Sequence, residues 1–183
     1  MSRENVEFVR RHYEAWNAGD VDAVIGAFAP NIEWHGHPRL PEPGPYRGRD
    51  QVERWMRQFR EAWGELSAEP VELIDAGDSV VALVHMTGRG RGSGVEVRGG
   101  VDVHVLTIGR DGVTYFRIYP ADAAASEAGL EDREMEALVL RVQEGLGAAA
   151  IADRTGASEA DVSATLDRAY ERLSGLAPTE VVP

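Results

Sequence analysis

The chain has 183 residues and a formal charge of −12, with 19 arginines as its whole basic complement, no lysine and no cysteine. That composition excludes disulfides, thiolate catalysis, cysteine metal sites, Schiff-base lysine chemistry and a P-loop lysine, and the charge opposes non-specific association with nucleic acid or an anionic membrane surface. The length suits one well-buried domain with an appendage, or two small domains; no apolar run approaches the ~20 residues that span a bilayer, and the start lacks a signal-peptide core, so a cytoplasmic protein without membrane association is the expectation.

In chain order, Val6, Val9, Tyr13 and Trp16 recur at helical spacing and predict a first helix that ends at Asn17-Ala-Gly. Asp20 is placed to cap a second helix with Val21, Val24, Ile25 and Phe28 on its inward face and Pro30 as its stop. Residues 32–37 read as a short strand, 38–45 as a proline-rich loop, and 39–49 as a stiff lid or cavity mouth. A third helix opens with Asp50 and Glu53 in capping-box spacing and buries Val52, Trp55, Met56, Phe59 and Trp63.

After Gly64 the period becomes alternating, which predicts strands at 68–75, 79–87, 95–108 and 113–119. Ala76-Gly-Asp78, the Gly-Arg repeat from Gly88 to Gly94, and Arg110-Asp-Gly112 supply the turns. A glycine-rich basic run invites a phosphate or RNA reading, but between two strands a hairpin tip accounts for it. Three helices followed by four strands predict an α+β domain over residues 1–130, with helices packed on one face of an antiparallel sheet. Residues 131–175 turn helical again, with a stretch through Leu138 and Val142, another at 148–155, a turn at Gly156, and a last helix from Glu159 to about Leu173. Ser158 and Asp161 have capping-box spacing for that helix, and 176–183 reads as a flexible tail.

Six signatures stand in a fixed order: Asn17-Ala-Gly-Asp20, Ile32-Glu-Trp-His35, Pro45-Tyr-Arg-Gly-Arg-Asp50, Asp75-Ala-Gly-Asp78, Gly88 to Gly94, and Asp111 to Tyr119. Taken together, over roughly residues 3–130, the series resembles the SnoaL-like branch of the nuclear transport factor 2-like superfamily. The resemblance implies a cone-shaped, curved antiparallel sheet around a cavity for a small apolar ligand, a homodimer, and chemistry without metal or cofactor. Isomerases, cyclases, hydrolases and non-catalytic binders all use such an architecture, so it fixes no activity.

Period-two alternation places Asp102 and His104 on one strand face, and Tyr115, Arg117 and Tyr119 together on one face of the next strand. If both faces line the cavity, they form a proton-transfer site. His104, with an ordinary pKa near ~6.5, is the candidate acid or base, Asp102 would orient its ring, and Arg117 would hold a developing anion. The same three residues read equally well as a hydrogen-bonded structural network. Comparison with the ketosteroid isomerase relatives implies that His104 stands where those enzymes carry an oxyanion-hole acid and His12 where they carry a hydrogen-bonding tyrosine. Gly36 then falls at the general base, which is missing unless His35 or His37 takes over. Trp16, Phe28 and Trp34 complete the expected pocket, with His12, His35, Tyr115 and Tyr119. Glu33, His35 and His37 also admit a metal-triad reading, although the resemblance implies no metal.

Arg133-Glu134, Glu144-Gly-Leu146, Ile151 to Arg154, Gly156 to Glu159, Val162, Leu166, Tyr170 and Leu173 resemble a LuxR-type helix-turn-helix. Its charge argues against reading DNA. Residues 131–183 hold 5 arginines against 11 acids, and residues 1–130 hold 14 against 20, so both parts net −6 and the shorter is the more densely acidic. An acidic recognition helix would be repelled by phosphate; Arg154, Arg168 and Arg172 are the only DNA-contact candidates singled out. Two classes remain: a small-molecule pocket protein, and a ligand-responsive transcriptional regulator.

Overall fold

In the computed structural model, which describes residues 2–92, 94 and 96–178, the chain runs α1 (Ser2–Ala18), α2 (Val21–Gly26), β1 (Phe28–His35), β2 (Tyr46–Arg47), α3 (Arg49–Glu61), β3 (Trp63–Ala76), β4 (Ser79–Gly90), β5 (Glu96–Gly109) and β6 (Gly112–Pro120). Four further helices follow: α4 (Ala121–Ala128), α5 (Asp132–Gln143), α6 (Ala148–Thr155) and α7 (Glu159–Ser174). The six strands form one sheet in the order β2-β1-β6-β5-β4-β3. Every neighbouring pair is antiparallel except β1 and β6, which run parallel, so the sheet is mixed rather than antiparallel throughout. Ser93, Val95 and the predicted tail residues 179–183 lie outside the described residues.

Burial on β4 sets the layering. Its residues Ser79 to Val84 are buried at every position, so both faces of the strand are covered. Val80, Ala82 and Val84 join Val9, Val24, Val52 and Met56 in one core under α1, α2 and α3. Val81 and Leu83 join Val101, Val103 and Val105 in a second core, closed by Leu138, Val142, Ile151, Val162, Leu166 and Leu173 of the C-terminal helices. Helices α1 to α3 thus share one face, as expected, and the C-terminal helices cover the other. A near-continuous apolar run is what a strand covered on both sides requires.

Local chemistry explains most boundaries. The Asp20 side chain accepts from Ala23 N at 2.9 Å and starts α2, and Ser158 Oγ accepts from Asp161 N at 3.1 Å and starts α7. Helix α2 stops at Gly26, so Phe28 opens β1 instead of extending the helix. Helix α3 takes Gly48 as its N-cap without a side-chain bond, and the capping role foreseen for Asp50 does not form. Trp63 opens β3 rather than closing α3. Helix α4 escaped the sequence reading. Gly112, at φ +118°, brings the β5–β6 turn against the start of β1: a Cβ there would lie 2.3 Å from the Ala27 carbonyl oxygen, which instead accepts from Val113 N at 2.9 Å.

Asn17 ties the end of α1 to β3. Its Nδ2 donates to Ala68 O at 2.9 Å, and its Oδ1 accepts from Ala68 N at 2.8 Å. Replacing Asn17 with Ala strands both backbone groups of a buried residue. Urea unfolding should show a loss of about 1–3 kcal/mol with an unchanged m-value.

Candidate functional site

A cavity of about 580 Å³ opens between the sheet and the helices α1 and α3, within the range of ~300–1,000 Å³ that small-molecule sites occupy. Its walls are chiefly aromatic. Helix α3 projects Trp55 and Phe59, four residues apart on one face, with ring centroids 4.8 Å apart; Trp34 of β1 stands 4.3 Å from Trp55 and Trp63 stands 5.9 Å from Phe59. With Trp16 on α1, all four tryptophans of the chain line the cavity, joined by Phe116 and Ile118 of β6.

The polar groups gather where β5 meets α1 and the loop after β1. Asp102 and His104 share the cavity face of β5, as alternation predicts. His104 is 3 % exposed, and its Nδ1 shares a 2.8 Å hydrogen bond with the Tyr13 hydroxyl. Asp102 does not orient the imidazole; its Oδ1 lies 3.6 Å from His37 Nε2, at the cavity mouth beside Arg39. His12, buried as well, is 5.4 Å from the Phe28 ring by centroids. Four ring nitrogens of cavity-lining residues, His12 Nδ1, His104 Nε2, Trp16 Nε1 and Trp34 Nε1, are buried without a hydrogen-bond partner. An unpaired buried group of this kind costs about 1–3 kcal/mol.

Burial reverses the simple expectation for the titrating groups. Desolvation lowers the His104 pKa to about 3, helped by the nearby His12 and His37, and lowers that of His12 to about 4. Both rings are therefore neutral through the physiological range. Desolvation raises the Asp102 carboxyl to about 6, against the opposing pull of Arg39. Burial and the Asp102 charge push the Tyr13 phenol well above its ordinary value. The carboxyl, not the imidazole, is the group that changes charge near neutrality.

Five of the residues expected to form the site do line the cavity: His12, Trp16, Trp34, Asp102 and His104. Phe28 packs behind His12 and Phe116. The others face the opposite side of the sheet. On β6 the cavity takes Phe116 and Ile118, so alternation turns Tyr115, Arg117 and Tyr119 away from it. There the Arg117 guanidinium lies 4.3 Å over the Tyr119 ring, and the Tyr119 hydroxyl donates to Glu127 Oε1 at 3.2 Å. Arg117 consequently does not face His104 across the cavity. His35 lies 2.7 Å from Glu33 by its Nε2 and packs on Tyr115. Strand β1 ends at His35, which leaves His37 on the cavity side, and no group of three potential metal ligands converges among the described residues.

Tyr13 and the α3 aromatics are the functional candidates that sequence reasoning missed, while His37, weighed there as a base or metal ligand, and Arg39, in the loop read as a cavity mouth, both line the cavity. Tyr13 had a signal, since Val9, Tyr13 and Trp16 fall on the inward arc of α1, but the pattern marks it as core. The three tail arginines are engaged internally. Arg154 grips Glu144 through two bonds of 2.9 and 3.1 Å, while Arg168 Nε and Arg172 Nε lie 3.6 and 3.3 Å from the carboxylate of Glu134, which is 1 % exposed. No helix among the described residues is long and apolar enough to cross a membrane.

Residues 9–115 match the family model of the SnoaL-like domain. No curated protein matches the chain. Among solved structures, an NTF2-like protein from Burkholderia thailandensis is 27 % identical with a TM-score of 0.58, over 67 % of this chain and 95 % of that one. One from Burkholderia xenovorans is 27 % identical with a TM-score of 0.54, over 69 % and 96 %. A third, from Burkholderia pseudomallei, is 26 % identical with a TM-score of 0.56, over 62 % and 88 %.

The lowered histidine values carry a stability consequence. The unfolded chain protonates His12 and His104 near pH ~6.5 while the folded chain does not, so their contribution is complete above that pH and is lost as pH falls towards about 4. Asp102 acts in the opposite sense between its ordinary value and about 6, with one proton against two. Replacing His12 with Phe, which removes a buried base from an aromatic environment, should reduce the stability lost between pH 7 and pH 4.5 by about 2–3 kcal/mol, measured by denaturant unfolding at each pH.

Proposed function

The chain belongs to the SnoaL-like domain family, and on that footing we propose that its cavity binds a flat, mainly apolar molecule bearing a carbonyl or acid oxygen and transfers a proton on it through Asp102, without a cofactor. The observation that carries this reading is the Asp102 carboxyl, lifted to about 6, set in an aromatic cavity beside an imidazole held neutral. A general base is most effective when its pKa lies near the working pH.

The aromatic walls would sandwich a planar molecule, and a ligand oxygen that reaches His104 Nε2 or an indole N–H would relieve the cost of leaving those groups unpaired. In the tautomer that accepts from the Tyr13 hydroxyl at Nδ1, His104 carries its hydrogen on Nε2 and serves as a neutral donor to the oxygen. The Asp102 carboxylate removes a proton from the carbon beside the carbonyl, and the C–H electron pair moves onto the oxygen to give an enolate. Asp102 then returns the proton to a second carbon. Arg39, at the mouth, takes the electrostatic role that Arg117 is not placed to fill. We read α5 to α7 as a packing module, because Arg168 and Arg172 reach the buried Glu134 carboxylate and Arg154 pairs with Glu144 of the same chain.

Proton exchange at the acidic carbon of 2-tetralone in deuterated buffer, followed by NMR, tests the assignment. The wild-type rate should climb tenfold per pH unit up to about 6 and then level off. Asp102→Asn should lower it by at least ~100-fold, while tetralone binding, read by tryptophan quenching, changes less than about threefold. Because the raised carboxyl pKa disfavours the folded state above about 6, Asp102→Asn should also melt higher than wild type at pH 8, and the two should converge below the ordinary carboxylate range. Exchange that survives in Asp102→Asn would remove Asp102 from the mechanism.

A further inference from the structure

We infer that helix α5 is the selectivity wall of the cavity, with Met135, Val139 and Gln143 setting the length of planar molecule it admits; the inference rests on the reading of the cavity as a site for such molecules. These residues are four apart and form one stripe on α5, and all three line the cavity. The neighbouring stripe, Leu138 and Val142, is buried in the second core against Leu83, Val101 and Val103. The helix thus has one stripe in the protein interior and one against the cavity.

The wall is held firmly. Arg141 on α5 reaches Glu72 of β3 at 3.2 Å, and the Tyr170 hydroxyl of α7 donates to the same carboxylate at 3.3 Å. At the other end of α5, the Glu134 carboxylate accepts from Glu131 N at 2.9 Å and is flanked by Arg168 and Arg172 of α7. Helix α5 is therefore fixed to α7 near its N-terminal end and to the sheet near its C-terminal end. It also falls outside residues 9–115, the extent of the family match. The two Burkholderia relatives that are 95 % and 96 % covered match only 67 % and 69 % of this chain, so about a third of it is unmatched by them. An added element that contributes cavity wall is a means of altering ligand choice while the polar groups on α1 and β5 stay where they are.

The test measures binding of 2-tetralone, with two rings, and 5,12-naphthacenequinone, with four, through quenching of the four cavity tryptophans. Val139→Phe fills the wall and should weaken the four-ring compound at least tenfold with less than a threefold change for the two-ring one. Val139→Ala and Met135→Ala open the wall and should shift the preference at least threefold towards the longer compound. Melting temperature and far-UV circular dichroism establish that each variant is folded, and the two alanine variants decide the question if the phenylalanine variant is not. Wild-type binding of both compounds with unchanged preference in the folded variants would overturn the role of α5 and leave the binding site standing. Failure of both compounds to quench the wild type would overturn the reading of the cavity and this inference together.

Discussion

Double-sided burial of the central strands is the constraint from which the rest of the molecule follows. Val80, Ala82 and Val84 need one cover and Val81 and Leu83 need another, so the sheet must lie between two helical layers. The C-terminal helices supply the second cover through a shared core, which makes them part of the sheet's stability and not an appendage. The same alternation sorts the functional side chains. On β5 it turns Asp102 and His104 towards the cavity and Val101, Val103 and Val105 largely towards the second core; on β6 it sends Phe116 and Ile118 one way and Tyr115, Arg117 and Tyr119 the other.

Electrostatics inside the cavity follow from depth more than from pair contacts. His12 and His104 lie below the surface with little to stabilise a positive charge, and stay neutral. Asp102 sits nearer the mouth, where Arg39 offsets part of its desolvation, and so it titrates within reach of neutral pH. A row of aromatic walls with the Asp102 carboxyl near the entrance arranges ligand and proton carrier without requiring a salt bridge across the cavity.

Much of this was legible in the residues and some was not. The helical stripe of α1, the cap residues Asp20 and Ser158, the strands after Gly64 and the shared face of Asp102 and His104 all follow from periodicity and short-range hydrogen bonding. The error on β6 came from expecting the polar face to line the cavity; this cavity is aromatic, so the apolar face does. For the same reason Trp55, Phe59 and Trp63 read as core, since a core and an aromatic binding wall impose one pattern on a sequence. Ser79 to Val84 did contain the sign of a two-sided sheet, a run apolar at both parities after its serine, but a buried strand and a one-sided one differ there only in the residues between the obvious ones. Helix α4 carries alanines and no large apolar period, and its burial arises from the sheet it lies on. The pKa values depend on depth, which no local pattern encodes.

Strand β3 is an outer strand of the sheet, with peptide groups on one side that no neighbouring strand pairs. Such a margin is an invitation for another chain to add itself, and proteins that remain dispersed blunt it. The carboxamide of Asn17 occupies the free N–H and carbonyl of Ala68 as a neighbouring peptide would, and Pro70 with the register break before Glu72 interrupts the ladder just beyond. A helix-terminal amide therefore stands in for a neighbouring peptide at one point of the sheet's open rim.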